Sequence, residues 1–169
     1  MVVAREDGLD SLSQATARHV ALLRHMVTVG AGWARRQVDE APGVAPSFAL
    51  GFHAAPSMRQ LHVHLISLDL ASPCLKNKKH WNSFATPFLV HPEAIVRQLE
   101  GPPTGRVPGG RQVREAEEAK LKEDMRCPVS GAPLRNMNDV RARVASAAYA
   151  DGVRALANGA AVVPRWPAC

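Results

Sequence analysis

Residues 51–67 read Gly51-Phe52-His53-Ala54-Ala55-Pro56-Ser57-Met58-Arg59-Gln60-Leu61-His62-Val63-His64-Leu65-Ile66-Ser67. From Gln60 to Leu68 the side chains alternate. Leu61, Val63 and Leu65 point one way, and Gln60, His62, His64 and Ile66 the other. A period of two is that of a strand with one apolar face and one polar face. Ser47 to His53 reads as a second strand, and 54–58 as the short loop between them. Antiparallel pairing through that loop brings His53 toward His62 and His64.

Histidine titrates near neutrality, so a cluster of imidazoles can divide labour. A neutral ring can attack phosphorus while a protonated one neutralises or protonates a phosphate oxygen. Ser57, in the loop, is placed to offer a hydroxyl and a backbone N–H to the same phosphate. Two other readings carry equal weight on spacing alone. An H-x-H pair can share a zinc ion, with His53 as a third ligand. A polar strand face can also have no chemistry at all.

Working outward, Ser11 to Val29 reads as a helix. Ser11 with Gln14 resembles a capping box, and Leu12, Ala15, His19, Leu22, Leu23 and Met26 fall on one face. Gly30 suits the position after its end, and 35–46 reads as a loop. Ser72 to Ser83 is basic and is expected to be irregular. Helices are expected over 91–100, with Pro92 in the first turn, over 114–124 and over 138–150. A Pro/Gly linker is expected over 101–110, a turn over 127–133 and a frayed tail over 155–169.

The chain has 169 residues, 46% apolar but only 5% aromatic, so its core rests mainly on Ala, Val, Leu and Met. Lys and Arg number 21 against 15 acids, a net +6, which favours a polyanionic partner such as nucleic acid. The three cysteines, Cys74, Cys127 and Cys169, form no C-x-x-C pair. That argues against a disulfide framework and for a reducing compartment. No stretch approaches the apolar length of a membrane helix, so no membrane partner is expected.

The run from Gly51 to Ser67 resembles the signature of the histidine-triad superfamily. The following Ser72-Pro73-Cys74-Leu75-Lys76-Asn77-Lys78-Lys79-His80-Trp81-Asn82-Ser83-Phe84 is similar to its DNA-deadenylating aprataxin branch. The resemblance implies an α+β fold, a partial histidine-triad sheet of antiparallel strands with its helix and a small helical C-terminal appendage. It implies that His62 is the nucleophile forming a covalent AMP intermediate. His64 then contacts the phosphate, His53 is a candidate acid for the leaving DNA 5′-phosphate, and Ser57 and Gln60 bind phosphate. Gln60 stands where the first triad histidine is expected. It can hydrogen-bond but cannot carry a proton charge.

By the same resemblance Lys76, Lys78, Lys79 and His80 contact DNA, and Trp81 stacks on a base or wedges at a DNA end. On composition alone the bland reading, a solvated loop with a buried Trp, is the stronger one. The superfamily's earlier strands, which hold adenine and ribose, are expected to be missing, leaving a sheet edge open. Where the branch carries a C-x-x-C…H-x-x-x-H finger, only Cys127 matches. Ser130, Arg143 and Ala147 occupy the other ligand positions, so no structural zinc and no cofactor is expected.

The expected organisation is a partial histidine-triad catalytic domain over 1–92 and a helix with a linker over 93–112. A degenerate finger-like helical region over 113–150 and a tail over 151–169 follow. The expected function is hydrolysis of adenylated DNA 5′ ends left by failed ligation, with AMP as product, impaired by the missing strands. The expected setting is nuclear DNA repair among other repair proteins. The alternatives are a non-catalytic DNA-binding remnant and a small-molecule nucleoside phosphoramidate hydrolase.

Overall fold

A computed structural model describes residues 1–41, 47–101, 111–163 and 166, without the side chains of 111–114. Apart from Gly101, the expected linker over 101–110 lies outside the described residues, as do residues 42–46 of the loop expected over 35–46, whose first residues, 35–40, are helical instead.

Four antiparallel strands form one sheet in the order β1-β3-β2-β4. They are β1 (Val2–Val3), β2 (Phe48–His53), β3 (His62–Ser67) and β4 (Leu89–Val90). The expected hairpin is present. Leu50 faces Leu65 and Gly51 faces His64 across β2 and β3. The outer edge expected to stay open is partly covered. Val2 pairs with Val63 and Val3 with His62, and Ala4 N–H donates to the Leu61 carbonyl at 2.8 Å.

One face of the sheet is sealed by α1 (Val20–Glu40) and α3 (Pro92–Glu100). Leu23 and Met26 of α1 and Ile95 of α3 bury Leu50 and Phe52 of β2 together with Leu61 and Val63; Leu61, Val63 and partly buried Leu65 are the apolar face read from the alternation. The helix itself departs from expectation. Ser11 to His19 forms two short 3-10 turns, the first with the Ser11–Gln14 capping box, and α1 then runs through Gly30 to Glu40. Gly30 is a packing residue. A Cβ there would lie 2.9 Å from Leu50 Cδ2, so the hydrogen lets helix and sheet approach closely.

The other face carries the histidines and is covered by α2 (Lys78–Ala85) and the C-terminal third, comprising α4 (Arg111–Lys120), α5 (Met137–Val144) and α6 (Ala147–Ala157). The segment expected to be irregular is therefore partly helical. Asn77 Oδ1 accepts the His80 N–H at 2.9 Å and starts α2. The helix expected over 138–150 is broken in two. Ser146 caps α6 by accepting from Tyr149 N–H. Among the described residues of the expected tail, Val163 and Trp166 are buried in the same apolar cluster as Trp81, Met125, Leu134 and Tyr149 rather than frayed.

Gly51 marks a close approach on this face. A Cβ there would meet Leu89 Cδ1 at 2.8 Å and its Cγ closer still. Gly51→Ala is expected to destabilise the protein by about 1–3 kcal/mol, the usual cost of overpacking. Urea unfolding measures this, and an unchanged midpoint contradicts it.

Candidate catalytic histidine cluster

The three histidines expected to converge do so. The His53 and His64 ring centroids are 4.0 Å apart and those of His62 and His64 are 4.8 Å apart. His62 is the most enclosed, 5% exposed. Its Nδ1 lies 2.8 Å from the Gln60 carbonyl oxygen. A carbonyl only accepts, so Nδ1 carries the proton and donates, and the lone pair resides on Nε2. That tautomer is the one a nucleophilic Nε2 requires.

Gln60 has a place of its own. Its φ of 70° lies in the left-handed region, which takes it out of the strand alternation and turns its carbonyl toward His62. The side chain points to the N-terminal segment, where Nε2 donates to the carbonyls of Ala4 (3.0 Å) and Glu6 (3.1 Å). The expectation that Gln60 contacts phosphate is therefore corrected. Its amide is committed to backbone, because two carbonyls of a chain end wrapping over the strand need a donor.

His53 and His64 are held neutral. Desolvation by burial, then the charge of His62, lowers the His53 pKa to about 4, with the Ser83 backbone acting the other way. Desolvation, then His53 and His62, lowers His64 to about 3. The Nε2 atoms of both rings are buried and have no hydrogen-bond partner. Two buried imidazole nitrogens without partners beside a third with a free lone pair are suited to a polar group such as a phosphate.

Beside the cluster lies a half-open cleft of about 760 Å³. His53 and Ser57 line it, as do Lys79, His80 and Lys122, over a floor of Leu65, Ile66, Phe84 and Leu121. Lys76 is exposed, and Lys78 is paired with Asp124 at 3.3 Å. Trp81 departs from expectation. It is fully buried and its indole N–H donates to the Arg126 carbonyl at 3.1 Å, so no face is free to stack on a base. Phe84 and Phe88, not singled out from sequence, pack on His53 with centroids 5.2 and 5.1 Å away. Phe84 follows buried Trp81 by three positions on α2, a helical spacing that was the available signal.

In the finger-like region Cys127 is buried and Ser130 exposed. Among the described residues no group of three or more His, Cys, Asp or Glu is arranged to hold a metal ion. The backbone still turns as a knuckle, with Gly131 N–H donating to the Cys127 carbonyl and Cys127 N–H to the Ala132 carbonyl, both at 2.8 Å.

The family model described as "Scavenger mRNA decapping enzyme C-term binding" matches residues 1–80. The chain is 44% identical over 124 residues to aprataxin of Danio rerio, covering 73% of this chain and 35% of that protein. It is 38% identical over 122 residues to aprataxin of Gallus gallus, covering 72% and 35%. It thus spans about a third of the length of these curated relatives. Among solved structures, that of the aprataxin ortholog Hnt3 in complex with DNA superposes with a TM-score of 0.61 at 24% identity, over 94% of this chain and 78% of that one. The ortholog Hnt3 from Schizosaccharomyces pombe gives 0.60 at 23%, over 96% and 78%.

Two outcomes follow from the cluster. Gln60→Ala strips a donor from two carbonyls and is expected to lower stability by about 1–3 kcal/mol, seen as a lower urea midpoint at unchanged m-value. The second concerns acid. His53 and His64 bind protons more weakly folded than unfolded, so the unfolded state gains protons first as pH falls. Stability should be fully present above the ordinary histidine range near 6.5 and decline from there toward pH 4. Replacing both residues with Gln should flatten that slope, and equal slopes in the two proteins would disprove it.

Proposed function

Because the chain is an aprataxin-like protein with a histidine-triad fold, we propose that it removes AMP from adenylated DNA 5′ ends through a histidine–AMP intermediate. The observation that carries this reading is the division of labour among three adjoining imidazoles. One has its tautomer locked with a free Nε2, and two present unpartnered, buried Nε2 atoms beside it.

In the first step His62 Nε2 attacks the AMP phosphorus. An N–P bond forms and the P–O bond to the DNA 5′-phosphate breaks. The pair of electrons leaves on the DNA phosphate oxygen, and His53 is the group that supplies its proton. His53 is neutral in the empty cluster, so it takes up that proton as the anionic phosphate enters and lowers the cost of a charged ring. His64 and Ser57 hold phosphate oxygens where charge builds up. In the second step water attacks the same phosphorus and gives up a proton to His53, which lost one in the first step; the N–P bond breaks and AMP departs, restoring neutral His62. None of these steps needs a metal.

Recognition of the DNA strand falls to the cleft beside His53. Lys79, His80 and Lys122 present donors along it, and Lys76 adds an exposed cation, the sequence-independent mode of phosphate contact. Lys78 contributes through the same face only after leaving Asp124. Trp81 belongs to the packing beneath this surface. The substrate implies work in the nucleus alongside other repair proteins.

The test is an AMP-release assay on 5′-adenylated nicked duplex DNA. His62→Ala should abolish release, and mass spectrometry of quenched wild-type protein should find AMP on His62. An adduct on His53 or His64 would overturn the assignment. DNA binding that persists with no AMP release from the wild-type chain would instead favour a purely binding role.

A further inference from the structure

After α6 the chain reverses through Asn158 and Gly159, both at positive φ (45° and 77°). It then runs beside the start of β2. Phe48 N–H donates to the Ala161 carbonyl and Val163 N–H to the Phe48 carbonyl, each at 2.8 Å, with Phe48 and Val162 bridged in parallel. These bonds deliver Trp166 into the apolar cluster on the histidine face, where it is 4% exposed. Its indole N–H donates to the Phe84 carbonyl at 3.0 Å.

That carbonyl lies in the last turn of α2, where a helix leaves its carbonyls without intrahelical partners. The natural donor, the N–H of Phe88, is bound to Thr86 Oγ1 instead. Trp166 therefore supplies, from 82 positions away, a cap that the local chain does not. The side chain of the capped residue is the one that walls the histidine cluster. The Phe84 ring stands 5.2 Å from His53 and 5.5 Å from His64. One residue thus takes the tail's hydrogen bond on its backbone and packs on two histidines through its ring.

We propose that Trp166 is a positioning residue for the histidine cluster: its indole N–H fixes the last turn of α2 so that Phe84 holds His53 and His64 in register with His62. In its kinetic part this rests on the hydrolase reading above. In its structural part it does not. Neither ring has a partner at Nε2; Phe84 packs on both, Phe88 packs on His53, and the backbone of Ser83, the residue before Phe84 on α2, hydrogen-bonds His53, so the end of α2 sets their orientation. A small swing of the α2 end moves Phe84 and, with it, the acid and the phosphate contact. Trp166 touches none of the reacting atoms.

The experiment compares the wild-type chain with Trp166→Phe and Trp166→Ala. The phenylalanine variant keeps an aromatic ring in the cluster while removing the N–H and part of the indole's volume, so it stays informative if the alanine variant fails to fold. The proton NMR signals of the imidazole Cε1–H groups report the ring current of Phe84. In Trp166→Phe those of His53 and His64 should move, while that of exposed His25 stays in place. The kcat for AMP release from adenylated nicked DNA should fall on the order of tenfold with little change in KM, the signature of misplaced rather than missing groups. Unmoved His53 and His64 signals in Trp166→Phe overturn the proposal, whatever happens to activity. Moved signals with an unchanged kcat overturn its catalytic part. Failure of the wild-type chain to release AMP would count against the hydrolase reading alone, because the NMR comparison still decides whether Trp166 positions the rings.

Discussion

The hydrogen bond from His62 Nδ1 to the Gln60 carbonyl is the constraint on which the site depends. An imidazole with a free choice of tautomer divides its proton between two nitrogens. Here the acceptor is a backbone oxygen that cannot donate, so the proton stays on Nδ1 and Nε2 keeps its lone pair. The acceptor is aimed by a left-handed residue at the mouth of β3. That residue is held in turn by its own amide across the N-terminal segment and by Asp10 Oδ1, 3.3 Å from its N–H. The N-terminal residues thus support the nucleophile through Gln60 while β1 shields the strand that carries it. A glutamine suits this post, since its amide bonds two carbonyls without bringing a titrating charge next to His62.

The remaining two histidines illustrate how burial prepares a site for an anion. Both rings are pressed between the sheet and aromatic side chains, and desolvation keeps them uncharged at neutral pH. An uncharged, unpaired pair of nitrogens neither repels itself nor pairs with a carboxylate. It is left to an incoming anion to provide the partner and the countercharge. The cationic side chains stand at the cleft rather than in the cluster, where they attract a polyanion without sealing it off from the nucleophile.

The C-terminal third is attached by apolar packing and a few long-range hydrogen bonds. Trp81 reaches Arg126, Tyr149 O–H donates to the Leu68 carbonyl at 2.8 Å, and Asn82 Nδ2 donates to the Glu123 carbonyl at 2.8 Å. Met125, Cys127, Leu134, Val140 and Val153 bury the surface between them. Such a core accounts for the knuckle-shaped turn at Cys127. Burial of Tyr149 pushes its hydroxyl well above the ordinary phenol range, as expected of a donor locked against a carbonyl.

Local pattern alone determined the hairpin, its apolar face and the meeting of His53 with His62 and His64. A period of two dictates facing, and a short loop dictates antiparallel pairing. The basic segment was equally legible as composition. Its structure was not, because the Asn77 cap and the buried Trp81 turn half of it into a helix, and burial depends on what packs against it. Gly30 read as a helix end for the same reason. Nothing in the sequence around it reveals that Leu50 lies 2.9 Å from where its Cβ would be. Only the tertiary fold decided that Gln60 faces inward to the chain rather than outward to a ligand. It also decided that Val163 and Trp166 pack on the histidine side of the sheet. Both outcomes rest on hydrogen bonds between groups more than fifty positions apart, and periodicity reports only what neighbours along the chain share.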